Sequence, residues 1–364
     1  MTQQSEWMTI PEIVETARER LPAHVWDYSS GGAESEVTLR RNRTAFEHLA
    51  FRTRVLRDVS ERDTTTSFLG APLTLPVMLA PVGSISLFDP DGALACARAA
   101  EEAGTAAFVS TVASPRLEVV RAGTTAPLFF QLYVTSDRSR TAELVQRAQS
   151  AGYLGICVTV DSAVYGRRER DIHNRFNPRD RGKPNLPDAV VTAAPVDDRD
   201  HYRASATWDE LGWLRSRTDL PFMLKGIMCA EDASLAVDHG ASAVYVSNHG
   251  GRQLDHNPAT LEVLPEVVDA VAGRADVLVD GGFLRGTDVL KAVALGARAV
   301  LIGKLMAWGL AAGGAAGVVR ALELMQLEMS VAMAALGVRR LDELSPDCLR
   351  RTTPPMADPW PTGL

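Results

Sequence analysis

From residue 77 onward, eight short apolar runs rich in Val, Ile and Phe alternate with longer stretches of helical period. They fall at 77–82, 106–110, 128–133, 154–161, 222–227, 243–248, 276–282 and 299–303. Runs of this length suit strands buried on both faces, and the helical stretches between them are the connections that parallel strands need. Eight such units predict an α/β chain closed into a (β/α)8 TIM barrel, because an open doubly wound sheet of roughly five or six strands would leave strands over.

Polar residues gather at the ends of these runs: Gln131 and Tyr133, Thr159 and Asp161, Lys225, Ser247 to His249, and Asp280. The C-terminal ends of barrel strands form the face where active sites are built. Any one of these residues is equally well explained as a cap or loop residue. Five strands ending this way together predict a site.

At 364 residues the chain exceeds the roughly 250 of a bare barrel, so additions are expected. Residues 1–76 read as short helices over Ile10–Arg20 and 36–46, then a turn-rich stretch feeding the first strand. Residues 176–206, rich in Pro, Asp and Arg, read as a mobile lid loop after the fourth unit, since long connections without an apolar face tend to be functional. The barrel and its following helices span 77–336, with 317–336 helical in period, and 337–364 form a Pro-rich tail. The whole, 1–364, reads as one domain.

Composition narrows the function classes. Hydrophobic residues at 46% and charged residues at 23% mark a globular chain rather than a disordered or fibrous one. A net charge of -7 argues against a nucleic-acid surface and favours small-molecule partners. Cys96, Cys157, Cys229 and Cys348 form no CxxC pair and no zinc spacing with His, so reduced structural thiols are expected and no metal. The start, MTQQSEWMTI, lacks the basic and apolar regions of a signal peptide, and no apolar run reaches the roughly 20 residues of a membrane span. A cytoplasmic protein without membrane attachment is the expectation.

The most informative segment is Ser247-Asn248-His249-Gly250-Gly251-Arg252-Gln253-Leu254-Asp255, directly after the sixth run. Its glycines let the backbone approach a ligand while His249 and Arg252 are presented into the barrel mouth. A histidine there can take a proton near neutral pH, and an arginine three residues on can hold a carboxylate by two parallel hydrogen bonds.

This segment resembles the signature of the FMN-dependent 2-hydroxy acid dehydrogenases and oxidases, the family of glycolate oxidase, lactate oxidase and mandelate dehydrogenase. The resemblance covers nearly the whole chain. It begins at Leu21-Pro22 and Tyr28 with the following Gly-Gly-Ala-Glu, and runs through Gln131-Leu132-Tyr133, Thr159-Val160-Asp161 and Gly166-Arg167-Arg168. It continues through Leu224-Lys225-Gly226 to Asp280-Gly281-Gly282. The stretch 161–176 and Leu344-Ser345-Pro346-Asp347 resemble the mandelate dehydrogenase and mandelate oxidase branch most closely.

The resemblance implies FMN as cofactor, a 2-hydroxy acid as substrate, oxygen or another electron acceptor, and a homo-oligomer, a tetramer in the family. It implies that His249 removes a substrate proton and that Asp161 stabilises the resulting imidazolium. Arg252 and Arg168 would clamp the carboxylate, Tyr28 would add a hydrogen bond, and Tyr133 would contact the reacting hydroxyl. Pro81, Val82 and Gly83 would lie beside the flavin, with Ser110, Gln131 and Thr159 at its pyrimidine edge. Lys225 would stabilise its reduced anion, Ser247 and Asp280 would complete the cradle, and Gly281, Gly282, Gly303 and Lys304 would take the phosphate. A buried lysine at a strand end is costly without an anionic partner, and a reduced flavin supplies one.

The chain also departs from the family pattern. Leu284 and Lys304 stand where relatives carry arginines, which predicts looser FMN binding unless Arg285 compensates. Val112 and Ser29 replace bulkier aromatics, predicting a roomier pocket suited to aryl or long-chain hydroxy acids. Gly83 stands where many relatives have alanine. The 177–183 stretch is polar where mandelate dehydrogenase has an apolar membrane-binding insert, so a soluble enzyme is expected. A flavin- or phosphate-binding isomerase barrel and a catalytically idle flavoprotein are the competing classes. The first has no use for a carboxylate clamp, and the second would be expected to have lost His249 or Asp161.

Overall fold

Eight parallel strands close on themselves as the apolar runs predict. They are β1 (Val77–Leu79), β2 (Ala107–Ser110), β3 (Leu128–Leu132), β4 (Ile156–Thr159), β5 (Phe222–Ile227), β6 (Ala243–Val246), β7 (Asp276–Val279) and β8 (Ala299–Ile302). β8 pairs with β1 to complete the barrel. The computed structural model describes residues 7–134, 137–178, 184–186 and 206–354. Three N-terminal helices precede the barrel, α1 (Ile10–Arg20), α2 (Ala23–Ser30) and α3 (Val37–Thr44). The later ones are α4 (Ala93–Glu102), α5 (Leu117–Ala122), α6 (Arg138–Ala151), α7 (Glu169–His173), α8 (Trp208–Arg215), α9 (Ala230–Asp238), α10 (Thr260–Val271), α11 (Gly286–Ala294) and α12 (Lys304–Leu336).

Alternation along the strands makes two cores. Met78, Phe108, Phe129, Met223, Tyr245 and Leu301 point inward and fill the barrel, joined by Phe68 from the hairpin Thr66–Phe68 and Ala71–Leu73. Val77, Val109, Phe130, Leu224 and Val300 belong to the outer core that packs against the helices. Phe68, Phe108 and Phe129 pack with centroids 4.9–6.5 Å apart, so this end of the barrel is filled and the cavity lies at the opposite mouth. Truncating a fully buried phenylalanine such as Phe129 to alanine costs about 3–5 kcal/mol.

Several strands end earlier than their apolar runs. Residues 80–82, 160–161, 247–248 and 280–282 have left the sheet to form the mouth. Among them Pro81 and Val82 are apolar because they line the cavity described below. α2 was not anticipated: eight residues after Pro22 are too few to show a period.

α12 is longer than the 317–336 stretch read from sequence, and it breaks at Gly313 (φ -163°, ψ 28°) and Gly314 (φ 61°, ψ -145°). It is long and apolar enough to cross a membrane, yet 67% of its apolar window is buried within the protein. It packs against α1, α4 and α11, as a core helix does. Residues Leu349–Arg351 of the tail pair antiparallel with Leu49–Phe51 and tie the chain ends together. Most of the 176–206 connection read as a mobile lid lies outside the described residues, as does 355–364 of the tail.

Candidate active site

A cavity of about 1180 Å³ occupies the C-terminal mouth. Single drug-sized ligands typically occupy roughly 300–1,000 Å³, so there is room here for a cofactor and a substrate together. Tyr28, Tyr133, Arg168, His249 and Arg252 line it on the side facing α2 and the β4 and β6 loops. Pro81, Val82, Gly83 and Lys225 line its base, and Asp280, Gly281, Gly282, Gly303 and Lys304 line the end over β7 and β8. Of the residues read as a site from strand ends, Tyr133, Lys225, His249 and Asp280 converge on this one space.

Each part of the Ser247–Asp255 segment has a structural task. Ser247 Oγ accepts from the His249 backbone N–H at 3.1 Å and from Lys225 Nζ at 2.7 Å. Asn248 and Asn42 of α3 exchange two side-chain hydrogen bonds of 2.8 Å, clamping the turn to the N-terminal segment. Gly251 has φ 75°, and a Cβ there would lie 2.6 Å from the Leu39 backbone nitrogen, so only glycine fits. Asp255 accepts from the first N–H groups of α3, at Val37 and Thr38. The turn holds His249 itself at φ 58°, a left-handed conformation costing a non-glycine residue roughly 1–2 kcal/mol.

His249 Nδ1 lies 3.0 Å from Asp161 Oδ1 and 3.2 Å from Oδ2. Asp161 can approach because residue 226 is glycine (φ 113°): a Cβ there would sit 2.6 Å from the Asp161 Cβ. Burial pushes the Asp161 carboxyl up, but the nearby His249 and Lys225 and the hydrogen bond from His249 outweigh it and leave it below the usual carboxylate range. Burial, with the positive charges of Lys225 and Arg168, holds the His249 imidazole below its ordinary value against the pull of Asp161. The resting pair is thus a carboxylate and a neutral imidazole whose Nδ1–H points at it, leaving Nε2 as an acceptor.

Beside this pair stand two guanidinium groups, that of Arg168 buried and that of Arg252 half-buried. Arg168 is 6% exposed; its Nε donates to the Arg252 carbonyl at 3.2 Å and its Nη1 to the Tyr165 hydroxyl at 2.6 Å. Arg252 Nη1 donates to the Tyr28 and Gly31 carbonyls at the end of α2. Arg252 lies 4.7 Å over the Tyr28 ring and Arg168 4.2 Å over the Tyr165 ring. Burial and the charge of Arg168 lower the proton affinity of Arg252, a site ready for an anion. Burial likewise raises the Tyr28 phenol above its usual value, so it stays a donor.

At the base, Lys225 is 4% exposed and also meets Asp280 Oδ2 at 3.4 Å. Burial disfavours its charge, but Asp280 and Asp161 more than restore it. Tyr245 donates to Asp280 Oδ2 at 2.9 Å from within the barrel. Asp280 Oδ1 is buried and has no hydrogen bond among the described residues, as expected of an acceptor kept for a ligand. Ser110, Gln131 and Thr159 form a chain in which Ser110 donates to Gln131 Oε1 at 2.7 Å and Gln131 Nε2 to Thr159 at 2.9 Å. With Ser247 and Asp161 they stand behind the cavity wall rather than on it.

The resemblance calls for FMN, and the residues present fit it. The lone Asp280 Oδ1, the buried Lys225 and the small Gly303 on the cavity wall suit a flat ring with a polyhydroxyl tail. The N-terminus of α12 at Lys304 provides the partial positive charge that a phosphate favours. Side-chain cations are scarcer there. Lys304 Nζ donates to the Ser29 and Gly31 carbonyls at 2.7 and 2.9 Å. Arg285, the residue left open as a substitute for Leu284, pairs with Glu328 at 2.8 Å and does not line the cavity.

Sequence reading missed Tyr165, Gln253 and Arg43. Gln253 Nε2 donates to the Asp161 and Val164 carbonyls, at 3.0 and 2.9 Å, and its Oε1 accepts from Gly166 N at 3.2 Å. It joins the β4 and β6 loops. Arg43 donates to the Gly282 carbonyl at 2.8 Å and pairs with Asp288. Gln253 was legible as part of the motif, but its partners lie 87–92 residues away and no local pattern announces them.

A family model described as FMN-dependent dehydrogenase matches residues 17–351. An L-lactate oxidase of Nostoc sp. is 44% identical over 358 residues, covering 94% of this chain and 98% of its own. A solved mandelate oxidase is similar at 42% identity and TM-score 0.84, covering 94% of this chain and 98% of that one. A soluble mutant of the membrane-associated (S)-mandelate dehydrogenase from Pseudomonas putida is similar at 36% identity and TM-score 0.86, covering 95% and 100%.

Proposed function

The chain belongs to the FMN-dependent dehydrogenase family, as an oxidase or dehydrogenase of 2-hydroxy acids, and from that premise we propose that its substrate is a bulky or aryl (S)-2-hydroxy acid, oxidised to the 2-keto acid. The observation that carries the reading is His249 bonded through Nδ1 to Asp161 beside the buried Arg168 and the half-buried Arg252. A base with its counter-ion, next to a paired cation site, is what oxidation alpha to a carboxylate needs.

In this reading Arg252 and Arg168 bind the carboxylate, with the Tyr28 phenol as a further donor. Anchoring that end places the α-carbon and its hydroxyl near Nε2 of His249 and near Tyr133. His249 accepts a proton at Nε2, and Asp161, already an ion, stabilises the imidazolium through Nδ1. FMN, when bound, supplies the acceptor for the two electrons, and an external acceptor, oxygen among them, takes them onward. Lys225, Asp280, Gly281, Gly282 and Gly303 would hold it, with the positive charge of Lys225 beside it.

Support for a bulky side chain comes from small residues on the wall. Val112 and Ser29 both line the cavity, and Ser29 keeps its hydroxyl on the Trp26 carbonyl and the Trp308 indole. Solved relatives named for mandelate point the same way, whereas the sequence relative is named for lactate. A comparison of kcat/KM for (S)-mandelate, (R)-mandelate, L-lactate and glycolate tests the choice. (S)-Mandelate is expected to lead; a lead by lactate or glycolate would overturn it.

A further inference from the structure

Tyr165 lines the cavity, four residues after Asp161 and three before Arg168. Two contacts join it to Arg168: the phenol oxygen accepts from Nη1 at 2.6 Å, and the guanidinium carbon stands 4.2 Å from the ring centroid. With Nε also bound to the Arg252 carbonyl, the Arg168 fork is fixed on three sides. We propose that Tyr165 is the positioning residue of the carboxylate clamp, setting the orientation of Arg168 for the substrate's carboxylate; this rests on the reading of Arg168 and Arg252 as that clamp.

The physical need is plain. Two guanidinium groups facing one cavity, Arg168 buried and Arg252 half-buried, repel each other until an anion arrives. Each lies on a tyrosine ring, Arg252 on Tyr28 and Arg168 on Tyr165, and the negative face of each ring offsets part of that repulsion. The phenol oxygen of Tyr165 adds a second hold, which fixes the plane of the fork, and a two-pronged bond to a carboxylate depends on that plane.

The segment that carries Tyr165 is itself fixed. Gln253 bonds to the backbone at 161, 164 and 166. A Cβ on Gly166 would fall 2.8 Å from Gln253 Cα, so the segment lies hard against the turn that bears His249 and Arg252. Tyr165 therefore keeps Arg168 in register with the base as well as with its partner arginine.

The test uses the flavin-loaded enzyme and two probes that cannot be oxidised, phenylacetate and phenylacetamide, with binding read from the perturbation of the flavin absorbance. Replacing Tyr165 by leucine removes both contacts and should weaken phenylacetate by roughly tenfold while leaving the amide within about twofold. Tyr165→Phe keeps the ring, cannot fail on volume, and should give an intermediate loss confined to the carboxylate probe. Unchanged phenylacetate binding in both variants, or equal weakening of both probes, would overturn the role of Tyr165. Wild-type enzyme that binds the amide as tightly as the carboxylate would instead overturn the clamp on which the proposal rests.

Discussion

His249 Nδ1 and Asp161 Oδ1 stand 3.0 Å apart, brought together from loops 88 residues distant by a glycine on the strand between them. Because Asp161 stays ionised and His249 neutral, the pair has a defined pH signature. Burial and neighbouring cations depress the His249 value, so kcat/KM is expected to fall on the acid side with an apparent pKa below the ordinary imidazole value of about 6.5. Asp161→Asn removes the neighbour whose charge and hydrogen bond raise it. The acid limb should then move lower still while kcat drops by about 10²–10⁴, as measured in a pH series of initial rates. An acid limb above the ordinary value in the wild-type enzyme would contradict the geometry.

The same pair links pH to stability. The unfolded chain protonates His249 at a pH where the native state does not, so the native state binds fewer protons there. Its contribution to stability is complete above about pH 6.5 and shrinks as pH falls towards the lower folded value. In His249→Asn the thermal midpoint should depend less on pH below about 6.5, an effect seen directly in melting curves.

Arg252 has a structural task besides its charge. Its Nη1 spans the Tyr28 and Gly31 carbonyls at the end of α2, a hold that lysine cannot reproduce with a point charge. Arg252→Lys is expected to raise KM about 10-fold or more and to lower the melting temperature by several degrees, with kcat less affected. Equal KM values would show that the fork is not needed.

Flavin retention should be weak at the phosphate end. Lys304 is held by two carbonyls, Arg285 by Glu328, and Leu284 presents an apolar side chain to the cavity. Prolonged dialysis should release part of the FMN, and Leu284→Arg should slow that loss, read as the ratio of flavin to protein absorbance. A fully loaded wild-type enzyme after dialysis would contradict this account.

Gly83 is sized to Val112. A Cβ on residue 83 would fall 2.7 Å from Val112 Cγ2, so Gly83→Ala forces Val112 to move. The single variant should lower the affinity for aryl hydroxy acids by several-fold, and adding Val112→Ala should restore it. Independence of the two changes in a double-mutant cycle would rule out the contact.

The barrel was legible because eight apolar runs at regular intervals leave few other folds, and the site because strand ends share one face. The strand lengths were overestimated where residues such as Pro81 and Val82 are apolar for the cavity rather than for the sheet. Tyr165 and Gln253 were hidden for another reason: their partners are set by how the β4 and β6 loops pack, and sequence spacing carries no record of that. Ser110, Gln131 and Thr159 were found, but as a mutually bonded layer behind the wall.

The most direct test mixes the oxidised, flavin-loaded enzyme anaerobically with (S)- and (R)-mandelate, lactate and glycolate while the flavin absorbance is followed, in the wild type and in His249→Asn. At least one 2-hydroxy acid should bleach the wild-type flavin, and His249→Asn, still coloured, should bleach more slowly by about 10²–10⁴. A wild-type flavin that none of these acids bleaches, or a His249→Asn enzyme that bleaches at the wild-type rate, would contradict the account.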